Sequence, residues 1–139
     1  MSTQPVITFD GEDGLFRAVH PRWIQEDGLI APGAFQNNSR PVPTNQMSVG
    51  AEQLAAPEQV LAQFPWSDEG CVARITAGTC WDLEQTVEHS PIAAFAAHSD
   101  VVGEKDDLVR LKFADACERV DPVRAYDAGE MSDDEDGQS

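Results

Sequence analysis

The longest unbroken apolar stretch in this chain is six residues, Ile92-Ala93-Ala94-Phe95-Ala96-Ala97, closed by Pro91 and His98. Roughly 18 or more are needed to span a bilayer as a helix, so the apolar residues must pack a modest core in short pieces. At 139 residues, length favours one domain.

The pieces have readable periods. Leu15 to His20 alternates as a strand, with Leu15, Arg17 and Val19 on one face and Phe16, Ala18 and His20 on the other. Cys71 to Ala77, between Gly70 and Gly78, is the clearest strand. Val6 to Phe9, Met47 to Val49, Thr86 to Glu88 and Ala97 to Val102 read as further short strands. Pro57 suits the first turn of a helix burying Val60, Leu61 and Phe64. Thr79 to Asp82 resembles a weak capping box that opens another. The strongest helix is expected from Glu104 to Val120, with Val109, Phe113, Ala116, Cys117 and Val120 on its stripe and Leu111 off it. Pro122 is expected to stop it.

These readings give an α+β fold, a small and mostly antiparallel sheet with a C-terminal amphipathic helix packed on it. The expected organisation is an N-terminal extension (1–14), a single domain (15–120) and a disordered acidic tail (121–139) holding Asp133-Asp134-Glu135-Asp136.

Charge narrows the function classes. The formal net charge is −16, and only Lys105 and Lys112 are lysine among nine basic residues. Acids scattered over the chain, with scarce lysine, fit a cytoplasm rich in salt, where screening shortens carboxylate repulsion to a few ångströms. The melting temperature should therefore rise by several degrees or more between dilute buffer and molar KCl; a flat or falling trend would contradict halophilic adaptation. An acidic mimic of nucleic acid is the rival reading. Direct nucleic-acid binding is disfavoured, since no basic patch exists to release counterions. The N-terminus shows no basic and apolar leader, and a cytoplasmic location is expected.

Few residues carry a motif. Cys71, Cys80 and Cys117 lack disulfide or zinc spacing and are expected in the core. His20, His89 and His98 match no zinc pattern, so no metal is expected. Ser48, Ser67, Ser90 and Ser99 lie in no nucleophile elbow, and no phosphate-cradling glycine loop occurs. A partner protein is expected to dock through Trp66, beside Pro65 and an acidic turn, or through the acidic tail.

The blocks Leu15-Phe16-Arg17-Ala18-Val19-His20-Pro21, Asp27-Gly28 through Ala34-Phe35, Met47-Ser48-Val49 and Val72 to Gly78 resemble those of a small uncharacterised prokaryotic family, with a departure at Ser99, where alanine is usual. More distantly the chain resembles RES-domain toxins, which have an ADP-ribosyltransferase-like fold and consume NAD. That resemblance implies that Arg17 would hold the pyrophosphate of NAD by bidentate hydrogen bonds. Glu52 or Glu58 would orient the ribose or stabilise oxocarbenium character. Two readings stand: a non-catalytic accessory or interaction protein of a salt-adapted prokaryote, without cofactor, and an NAD-directed enzyme with an ADP-ribosyltransferase-like fold, as in the RES-domain toxins. Convergence of Arg17 with Glu52 or Glu58 on one cleft would favour the second.

Overall fold

The computed structural model describes residues 7–39 and 41–121. Six strands form one antiparallel sheet: β1 (Gly14–Val19), β2 (Gln46–Ala51), β3 (Cys71–Thr76), β4 (Thr86–His89), β5 (His98–Val102) and β6 (Glu118–Val120), in the order β4-β5-β2-β1-β3-β6. Three helices accompany it: α1 (Pro57–Leu61), α2 (Ala77–Asp82) and α3 (Asp107–Ala116). The fold is α+β. The expected tail lies outside the described residues apart from Asp121, and so does Val6 of the first expected strand; Ile7, Thr8 and Phe9 form no strand.

Alternation decides what each face buries. Leu15 and Val19 join Met47, Val49, Cys71, Ile75, Val101, Phe35 and Phe113 in the larger core cluster, while Phe16 joins Val60, Leu61 and Val72 on the opposite face. The sheet is thus covered by α1 on one side and by α3 with the Pro32–Ala34 turn on the other. Gly50 makes the α1 contact possible, since a Cβ there would sit 2.5 Å from Val60 Cγ2. Cys71 and Cys80 are fully buried, and Cys117 packs against the core from its edge.

Local chemistry sets the helix limits. At α1, Pro57 occupies the first turn and Gln59 Oε1 accepts from Ala56 N at 2.7 Å. Phe64 does not join its buried stripe: the helix ends at Leu61 and Phe64 is exposed. α2 starts earlier than the expected cap at Thr79, because Thr76, the last residue of β3, caps it by accepting from Thr79 N at 3.2 Å.

The C-terminal helix is shorter than its periodicity implies. Asp106 caps α3 through Oδ1, accepting from Val109 N at 2.9 Å, and the backbone turns extended at Cys117 (φ −73°, ψ 157°). Glu118, Arg119 and Val120 instead pair with Arg74, Ala73 and Val72. That pairing satisfies the outer backbone groups of β3, which a longer helix would leave open. Pro122 is therefore not the stop, and Ala116 is exposed rather than on the stripe.

Lys105 is buried, and its ammonium donates to the carbonyls of Val101 and Gly103, each at 3.0 Å. Burial lowers its pKa from 10.5 to about 8. Below pH 8 the ammonium is charged in both states, and burying it is a full cost. Between about pH 8 and 10.5 the unfolded chain holds the proton more tightly, so this residue makes folding more favourable as pH rises. Burial raises the Cys80 and Cys117 thiols to about 12 and about 11, which acts oppositely above pH 9. Comparison with Lys105→Met cancels Cys117, and below pH 9 the Cys80 thiol, which the ammonium pulls down, is still protonated in both states. Across that window wild type should gain on the order of 2 kcal/mol relative to the variant; parallel stability–pH curves would refute the assignment.

Candidate functional site

β1 pairs with β3 along its whole length, from Gly14↔Thr76 to Val19↔Cys71, but with β2 only at Leu15↔Ala51 and Phe16↔Gly50. Beyond Phe16 the two strands part, and the Arg17 guanidinium enters the gap. Its Nη1 donates to Ser48 O at 2.9 Å, its Nε to Ala34 O at 2.9 Å and its Nη2 to Gln36 O at 3.3 Å. The side chain thereby replaces a missing ladder donor and ties three segments together. A guanidinium has five N–H donors, so two remain beyond these three bonds.

Arg17 differs from the arginines that meet acids. Arg74 pairs with Glu52, Arg110 with Asp107 and Arg119 with Asp121, whereas Arg17 makes no ion pair among the described residues. Burial lowers its pKa to about 10, which still leaves it protonated at neutral pH. An unpaired cation thus sits where the strands separate, at the edge of a cavity of about 210 Å³. Ser48 and His98 supply polar groups to the same cavity, and Val60, Phe64 and Phe95 supply apolar walls.

The sheet register brings Ser48 and His98 together. β2 and β5 pair Ser48 with Asp100 and Gly50 with His98, so Ser48, His98 and Asp100 share one face. Ser48 Oγ lies 3.3 Å from His98 Nε2 and accepts from Asn38 Nδ2 at 3.1 Å. His98 Nδ1 lies 2.9 Å from Ser90 O and 3.2 Å from Ser90 Oγ. The Ser90 hydroxyl donates at 2.7 Å to Oδ2 of Asp100, which is buried.

The cleft gathers Arg17 but neither expected glutamate. Glu52 follows β2, and its Oε1 accepts from Arg74 Nη2 at 2.8 Å and from Nε at 3.1 Å. Glu58 lies in the first turn of α1 and is exposed. Neither lines the cavity.

Other candidates have local partners. His20 Nδ1 accepts from Arg22 N at 3.0 Å, and His89 Nδ1 accepts from Ile7 N at 3.1 Å. Ser99 is buried and donates to Ala97 O at 3.1 Å, so the hydroxyl at this departure from the resembled pattern is satisfied. Trp66 is partly buried, stacked on exposed Phe64 at 4.7 Å and tilted against His20 at 5.0 Å. Among the described residues no group of three His, Cys, Asp or Glu could hold a metal, and no helix is long and apolar enough to cross a membrane. Comparison with family models, curated proteins and solved structures gives no match to this chain.

Proposed function

We propose that the cleft between β1 and β2 binds a small ligand carrying an anionic group, with NAD as the candidate; Glu52 and Glu58 do not converge with Arg17 there, so NAD turnover lacks the carboxylate that the resemblance implies. The observation that carries this reading is the Arg17 guanidinium, which lines the cleft, is held by three carbonyls with two donors left, and meets no carboxylate among the described residues. A cation so placed suits a pyrophosphate, which accepts paired N–H donors in the plane of the guanidinium. The walls formed by Val60, Phe64 and Phe95 suit a flat, weakly polar ring. NAD combines both groups and is the substrate that the resemblance to RES-domain toxins implies. The groups facing this ligand are then Arg17, Ser48 and His98, in place of Glu52 and Glu58.

The experiment is incubation of purified protein with NAD in molar KCl, with nicotinamide measured. With no glutamate converging on Arg17, no release above a no-protein control is expected; release that falls at least tenfold in Arg17→Lys would restore the NAD-directed enzyme.

A second reading is favoured by the aromatic rim of the same cleft. Phe64 and Trp66 stack beside one another, with Phe64 37% exposed. A rigid aromatic pair of this kind suits a protein partner, in keeping with a non-catalytic interaction protein. In either case we place the protein in the cytoplasm of a salt-adapted prokaryote, on the strength of the −16 charge and the scarcity of lysine.

A further inference from the structure

We propose that Ser48 is a nucleophile activated by His98, and that the cleft cleaves small carboxylic esters with an apolar acyl group. The tautomer carries the argument. A carbonyl oxygen only accepts, so the contact between His98 Nδ1 and Ser90 O at 2.9 Å requires the proton on Nδ1. Nε2 is then an acceptor, and it faces Ser48 Oγ at 3.3 Å. Asn38 Nδ2 donates to the same Oγ at 3.1 Å, which leaves the Ser48 proton directed at His98. The Ser90 hydroxyl gives its proton to Asp100, so its oxygen, 3.2 Å from Nδ1, is a further acceptor for the imidazole N–H. When His98 takes a second proton, that N–H is held by two oxygens of Ser90, one of them polarised by the buried carboxylate of Asp100.

The parts form a nucleophile, a base and an orienting group, the first two fixed by strand register and Ser90 lying just past the end of β4. Ser48 Oγ attacks the ester carbonyl carbon as its proton passes to His98 Nε2. The carbonyl π electrons move to oxygen, inside the cleft that Arg17 also lines. Collapse expels the alkoxide, which takes the proton from Nε2 and leaves as the alcohol. Water, deprotonated by the same nitrogen, then attacks the acyl-serine; the carboxylic acid departs and Ser48 regains its proton. Val60, Phe64 and Phe95 form the wall for the acyl chain, and no redox partner or metal is required.

This activity goes beyond the NAD reading and does not depend on it. The test uses a fluorophosphonate probe on the full chain in molar KCl, with peptide mass mapping, followed by a burst assay with p-nitrophenyl butyrate. One adduct per chain, on Ser48, is expected, with labelling slowed about 100-fold in His98→Gln and absent in Ser48→Ala. No adduct, an adduct elsewhere with Ser48 untouched, or equal labelling of folded His98→Gln would overturn the proposal. Mapping on wild type alone decides the case if a variant fails to fold. Absence of a Ser48 adduct leaves NAD binding through Arg17 standing, because that is read separately by titration.

Discussion

Phe113→Ala is expected to destabilise the protein by about 3–5 kcal/mol, a large share of the stability of a domain this size. Phe113 is the one buried residue of α3, with no exposed surface, and its ring stacks on Phe35 at 5.5 Å. Removing it opens a void against the 32–35 segment, which also supplies the Ala34 carbonyl that Arg17 holds. Leu111 lies two residues earlier and is 46% exposed, so Leu111→Ala should cost less than about 1 kcal/mol. Urea unfolding in molar KCl measures both. Equal costs would mean that α3 presents a different face to the core.

Arg17→Ala should destabilise by about 2–4 kcal/mol, through loss of three charge-assisted bonds to carbonyls in two chain segments outside β1. The orphaned Ser48 carbonyl lies where β1 and β2 no longer pair, so no backbone donor of β1 can take over. Arg74→Ala serves as the contrast. Its pair with Glu52 is substantially exposed, and its loss should cost about 1 kcal/mol or less. A thermal melt in which the two variants behave alike would show that Arg17 does not hold the parted strands.

β1 and β3 are legible in the sequence because both faces of each are buried by alternation and glycine marks their ends, as at Gly14 and Gly70. The limits of α3 are not legible. The apolar spacing runs on through Cys117 and Val120, and only the open edge of β3 turns that segment into β6. Edge pairing depends on a partner 46 residues away in the case of Ala73 and Arg119, which local periodicity does not encode.

The candidate site divides in the same way. Arg17 stands out in the sequence as a charge on an otherwise apolar strand face. Ser48, Ser90 and His98 do not, since a nucleophile-elbow motif describes a strand-to-helix turn and Ser48 lies inside a strand. Their meeting rests on the register of β2 against β5, across 50 residues between Ser48 and His98. Glu52 and Glu58 have the right chemistry for the implied role. Glu52 is engaged by Arg74 and Glu58 is exposed in the first turn of α1, and neither lines the cleft.

The central claim is that Arg17 makes the β1–β2 cleft a site for an anionic ligand. Calorimetric titration of NAD into wild type and Arg17→Lys in molar KCl tests it most directly, with circular dichroism confirming that both are folded. Lysine keeps the charge but cannot hold the carbonyls and a pyrophosphate with one planar fork. The account predicts saturable binding near one equivalent to wild type, weakened at least tenfold in the variant. No saturable heat with wild type, or equal affinity in the two proteins, would contradict it.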